Sequence, residues 1–126
     1  FSPRGMDIDR NGVAWVALAS GHMGSFDRRL CEGPLNGPDA TGQHCPEGWT
    51  FYPLKDGPTL KGTNVKADFH YYNWVDQHDV FGLGRNTPFA TGTGSESLLA
   101  LDPAGGRLWV TRSMSAIGPS TQRASL

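Results

Sequence analysis

The chain has 126 residues, with Lys+Arg 11 against Asp+Glu 12 and a net charge of −1. That length supplies one modest core. The balanced charge leaves no basic excess for a phosphate backbone, which excludes a dedicated nucleic-acid binder. No apolar run approaches the roughly 20 residues of a membrane span. Gly 17 and Pro 9 make the chain rich in turns, and Trp 4, Tyr 3 and Phe 6 give it apolar mass to bury.

The first residues, FSPRGMDIDR, contain no initiator Met and no apolar signal core. A mature exported chain or a fragment has that form. Met6 to Asp9 alternates as a short strand. Arg10-Asn11-Gly12 is a turn, and Val13 to Ala19 is a second, strongly apolar strand. Asn-Gly between two such runs is a strong hairpin signal. Ser20-Gly21-His22 forms the next turn, and Met23 to Arg28 a Gly-containing strand.

Cys31 and Cys45 bracket a loop of Gly, Pro, Asn and Asp without helical or strand periodicity. A disulfide is the first reading, and it places the protein outside the cytoplasm, secreted or periplasmic. Two free thiols, or a metal site using Cys31, His44 and Cys45, are the alternatives. The short C-x2-4-C pair of zinc sites is missing. Strand Trp49 to Leu54 follows the loop.

Farther on, Tyr71-Tyr72-Asn73-Trp74-Val75-Asp76 reads as a strand. Pro88 to Thr91 is a weaker one. Ser95 to Leu101 could make two helical turns, while Leu99 to Asp102, a turn at Pro103–Gly106 and Arg107 to Thr111 read as a hairpin. The dipeptide Trp-Val occurs three times, at 15–16, 74–75 and 109–110. Aligning on it puts Asp9 over Asp102 and places a polar turn and a Gly-containing strand after each copy. The third copy ends with Ala116 to Gly118 and Arg123 beyond.

The expected architecture is all-β, with propeller-type blades at 3–54, 67–94 and 97–126 in one domain. Loop 31–45 is an insertion between the third and fourth strands of the first blade. A β-sandwich or barrel is the alternative. Two to three blades do not close a propeller. The chain is then a fragment, or, if complete, a ring-forming homo-oligomer. In this reading Trp15, Trp74 and Trp109 are buried at equivalent positions.

Pro3-Arg4-Gly5-Met6-Asp7-Ile8-Asp9, followed by Asn11-Gly12-Val13-Ala14-Trp15-Val16, resembles the blade opening of secreted bacterial β-propellers of the virginiamycin B lyase-like and NHL-like group. The resemblance covers about 50 residues. It implies a propeller fold, but no activity, because such repeats serve lyases, lactonases, sugar binders and scaffolds. The lyase family's catalytic His and acidic ligands have no matching motif here.

The three-copy alignment puts His22 and His78 on one rim, with Asp76 and Asp79 beside the second. Imidazoles and carboxylates at a channel mouth could hold a divalent metal (His22, His78, Asp76) or act as acid and base (His22, His78, Asp79). Asp7 to Gly12 has the D-x-D-x-N-G form of a calcium half-loop, but position twelve of an EF-hand would be Leu18. His70 is expected to be a packed structural residue. Tyr72 and Trp74 share a strand face, either as core or as a platform for a sugar ring. No nucleophile elbow or dinucleotide loop is present.

Three functions follow: a ligand-binding or structural propeller segment without chemistry; a metal-assisted lyase or hydrolase at the channel mouth; and a sugar-binding module acting on a small-molecule or carbohydrate ligand.

Overall fold

The computed structural model describes residues 1–42, 44–53 and 58–102, and the backbone of 107–112. Eight strands form two four-stranded antiparallel sheets. The first contains β1 (Pro3–Ile8), β2 (Ala14–Leu18), β3 (His22–Phe26) and β4 (Trp49–Pro53); the second contains β5 (Asn73–Asp76), β6 (Thr87–Gly92), β7 (Ser97–Asp102) and β8 (Arg107–Arg112). In each sheet the spatial order is the sequence order. Such meanders are blade-like. No α-helix occurs among the described residues.

The β1–β2 hairpin forms where Asn-Gly stands. Gly12 adopts φ 81°, and its N–H donates to the Asp9 carbonyl at 3.0 Å. An L side chain is disfavoured at that φ, so glycine suits the turn. The cysteine loop joins β3 to β4, as expected. The Cys31 and Cys45 sulfurs are bonded, with their Cα atoms 5.3 Å apart. The metal and free-thiol alternatives fall with that bond. Asp27 N–H donates to the Gly48 carbonyl at 2.9 Å, so the loop leaves and re-enters with Phe26 opposite Trp49. Beside it, the Arg29 guanidinium holds the Asp27 carboxyl below its ordinary pKa. Reducing the disulfide is expected to cost about 3 kcal/mol for a loop of this size. Urea melts with and without a reductant measure the loss.

The three-unit expectation is corrected by the second sheet. Phe89 pairs with Ala100 and Ala90 with Leu99, so β6 and β7 are neighbours. The boundary expected between 94 and 97 is a hairpin turn inside one sheet. Trp15 lies on β2, Trp74 on β5 and Trp109 on β8, hence on the second, first and fourth strands of their sheets. The Trp-Val dipeptide fits any strand of a half-buried sheet and marks no one position. Ser97–Asp102 is extended, so the helical turns expected at 95–101 do not form. The expected turn at 103–106 and the strand at 116–118 lie outside the described residues.

The sheets meet face to face. Trp15, Met23, Val75, Ala90 and Leu101 form the buried cluster between them, with Val13 and Tyr52 packed against it. β1 and β2 both touch β5. The junction is also polar: Asn73 Nδ2 donates to the Trp15 carbonyl at 2.7 Å, and Val75 N–H donates to Asp7 Oδ2 at 2.7 Å. Alternation sends Met6 and Ile8 to the opposite face of the first sheet, where they are 64% and 45% exposed.

Candidate functional site

One carboxylate stands at the end of the first strand of each sheet, Asp9 directly after β1 and Asp76 at the end of β5. Asp9 Oδ1 accepts from the Asn11 and Val13 N–H groups at 2.8 and 3.0 Å, and Oδ2 accepts from Trp15 Nε1 at 3.1 Å. Asp76 Oδ1 accepts from the His78 and Val80 N–H groups, and Oδ2 accepts from Phe81 N–H at 3.0 Å. Asp76 is the counterpart of Asp9. The Asp9–Asp102 alignment is corrected accordingly, because Asp102 ends β7, a third strand.

These carboxylates fold the turns that follow them, since short acidic side chains bond N–H groups a few residues on. The Phe81 N–H, followed by the other loop amides, holds Asp76 below the ordinary carboxylate range. Its stabilising effect is complete above the unfolded carboxylate pKa. It is lost as pH falls through the lower folded value.

The two turns are joined across the junction. Arg10 N–H donates to Asn86 Oδ1 at 3.0 Å, Arg10 Nη1 lies 3.2 Å from His78 Nδ1, and Gln77 Nε2 donates to the Ile8 carbonyl at 2.6 Å. A guanidinium only donates, so His78 Nδ1 carries the lone pair in that contact. Behind this clasp lies a groove of ≈ 420 Å³. Trp15 and Leu101 line its buried, apolar part, and Asn11, Arg85, Asn86 and Asp102 supply polar groups. A smaller cavity of ≈ 200 Å³, touching His44 and Glu47, lies within the cysteine loop, away from the sheet junction.

The histidines expected on one rim are separated. His22 opens β3 opposite Leu18, which lies at the Pro3 end of β1. His78 bonds Arg10, beyond the Ile8 end. Successive turns of an antiparallel meander alternate between its two ends. His22 follows the β2–β3 turn and His78 follows a first strand, so they lie at opposite ends.

His22 Nδ1 is 3.0 Å from Ser20 Oγ, and its ring stands edge-on to Phe1. Asp76 is occupied by backbone N–H groups, and Asp79 Oδ1 accepts from Gly84 N–H at 2.8 Å. The half-loop carboxylates Asp7 and Asp9 are likewise occupied. Among the described residues no three His, Cys, Asp or Glu side chains are grouped to hold a metal ion. Trp74 stacks on Phe89, with centroids 5.2 Å apart, while Tyr72 is exposed. Arg10, Arg85 and Asn86 were not singled out by the sequence. The Arg10–Asn86 contact joins residues 76 apart in the chain.

No protein-family model matches the chain, and no curated protein matches it. Among solved structures it is similar to one described as "Streptogramin B lyase structure", with 13% identity and a TM-score of 0.32. That similarity covers 90% of this chain and 55% of the other, so the chain spans about half of that protein's length. Among the described residues no helix is long and apolar enough to cross a membrane.

Proposed function

We propose that the chain is an extracytoplasmic β-propeller segment that binds a small polar ligand in the groove beside Asn86. The groove itself carries this reading: an apolar floor of Trp15 and Leu101 sits under a few convergent polar groups, the usual make-up of a ligand site. The Cys31–Cys45 bond supports a place outside the cytoplasm. A closed homo-oligomer would seat further sheets on the face that carries Met6 and Ile8. The enzyme reading is weaker, because His22 and His78 are at opposite ends.

Titrating 15N-labelled protein with a panel of monosaccharides, amino acids and small carboxylic acids tests the proposal. A binder is expected to shift the amides of Asn11, Arg85, Asn86 and Thr87, and Arg85→Ala is expected to weaken it about tenfold, the loss of one charge-assisted contact. Shifts confined to the Tyr72–Trp74 segment would favour the sugar-platform reading instead. No shift with any member of the panel would count against the groove as a site.

A further inference from the structure

The connection from β4 to β5 ends in a strap, residues 66–72, which lies against both sheets at the end opposite the groove. His70 N–H donates to the Leu18 carbonyl at 3.4 Å, and Thr91 N–H donates to the Tyr72 carbonyl at 3.1 Å. Phe69 N–H donates to Thr93 Oγ1 at 3.0 Å, and Ser95 N–H donates to Asp68 Oδ1 at 2.7 Å. Glycine makes room for the strap on the second sheet. A Cβ on Gly92 would lie 3.2 Å from Asp68 Oδ2, and one on Gly94 would lie 2.8 Å from the Ala67 carbonyl oxygen.

Asp68 and His70 are both fully buried. His70 Nδ1 is 2.9 Å from the Thr91 carbonyl oxygen. A carbonyl only accepts, so Nδ1 carries the proton and Nε2 the basic lone pair. Nε2 is buried and has no hydrogen-bond partner, and neither do Asp68 Oδ2 and Ser95 Oγ. The Asp68 carboxylate and the Gly21 carbonyl are the acceptors that act on a second imidazole proton, and neither is hydrogen-bonded to Nε2.

We infer that the strap is an acid-released latch: a proton taken from solvent at His70 Nε2 puts a charge into the fully buried junction and frees residues 67–72 from both sheets. Several groups act on that imidazole. Asp68 on the strap and the carbonyls of Thr91 and Gly21 favour the charged form; His22 on β3 opposes it. Burial outweighs the favourable groups and holds His70 below the ordinary imidazole pKa. The sign follows from linkage. The unfolded chain takes up the proton first, so the latch is fully stable above the unfolded value of 6.5 and is lost as pH falls below it.

Hydrogen exchange on the whole chain at about pH 7.5 and about pH 5, corrected for intrinsic rates, tests the latch. Protection of amides 67–72 and 91–95 is expected to fall about tenfold or more at the lower pH, while β2 and β3 stay protected. His70→Asn keeps an N–H for the Thr91 carbonyl without a titrating ring and is expected to abolish the acid effect. Should that variant fail to fold, the ring nitrogens of His70 can be followed by NMR in the unaltered chain. Its titration is then expected to coincide with the loss of strap protection. Unchanged protection at about pH 5, the same acid loss in the Asn variant, or a His70 that titrates under a fully protected strap would each overturn the inference.

Discussion

Met23→Ala is expected to destabilise the protein by about 3 kcal/mol, while Met6→Ala changes stability by less than about 0.5 kcal/mol. Both are methionines on strands of the same sheet. Met23 is 0% exposed and belongs to the cluster with Trp15, Val75, Ala90 and Leu101. Truncating it removes three heavy atoms' worth of packing and leaves a hole between two sheets that cannot easily close. Met6 is 64% exposed on the other face and loses little. Urea denaturation of the two variants with an unchanged m-value reads the difference. Equal losses would mean that the buried face has been assigned to the wrong side of the first sheet.

Asp9→Ala is expected to cost about 2–4 kcal/mol, and Asp9→Asn about half as much. The alanine leaves three donors without their acceptor: the Asn11 and Val13 N–H groups and Trp15 Nε1. These cannot all be re-solvated, because Asp9 and Trp15 are buried. Asparagine keeps one oxygen for the two backbone donors but turns an amide N–H2 toward the indole N–H, so donor meets donor there. Thermal or urea melts rank the three proteins, and the near-ultraviolet circular dichroism of Trp15 reports its loosened ring. An Asn variant as damaging as the Ala variant would mean that charge, and not hydrogen-bond geometry, is what Asp9 contributes.

Local features were legible in the sequence because their causes are local. Asn11-Gly12 forced a hairpin, and the glycine and proline between Cys31 and Cys45 excluded regular structure there. The strand read at Trp49 to Leu54 was recognisable as the fourth strand once the loop was taken as an insertion, and β4 spans Trp49–Pro53. The packed state of His70 was expected from the aromatic residues around it. The equivalence of the blades was not legible from Trp-Val, because an aromatic residue followed by a β-branched one suits every strand. The informative residues were Asp9 and Asp76. What distinguishes them is the set of backbone N–H groups they accept, which the sequence does not display. One misplaced strand then carried the candidate site with it: each strand reverses direction, so an offset by one strand moves His78 to the other end of its sheet.

The separation of His22 from His78 has a consequence for chemistry. Each end of the sheet pair has its own kind of polar device. The end bearing Asp9 and Asp76 carries solvent-facing side chains around a groove. The end bearing Asp68 and His70 buries its polar atoms beneath a strap. The first arrangement can exchange a ligand with water. The second, in the proposed latch, responds to a change in protonation.

The pairing of β6 with β7 decides most directly between two four-stranded sheets and three separate units. Cross-strand backbone NOEs between Ala90 and Leu99, and between Phe89 and Ala100, measured on the 15N,13C-labelled chain, read that pairing. The two-sheet fold requires both, since these residues are direct partners. Their absence, with NOEs of Leu99 to Val110 retained, would leave 97–112 as an independent hairpin and contradict the two-sheet fold and the groove built upon it.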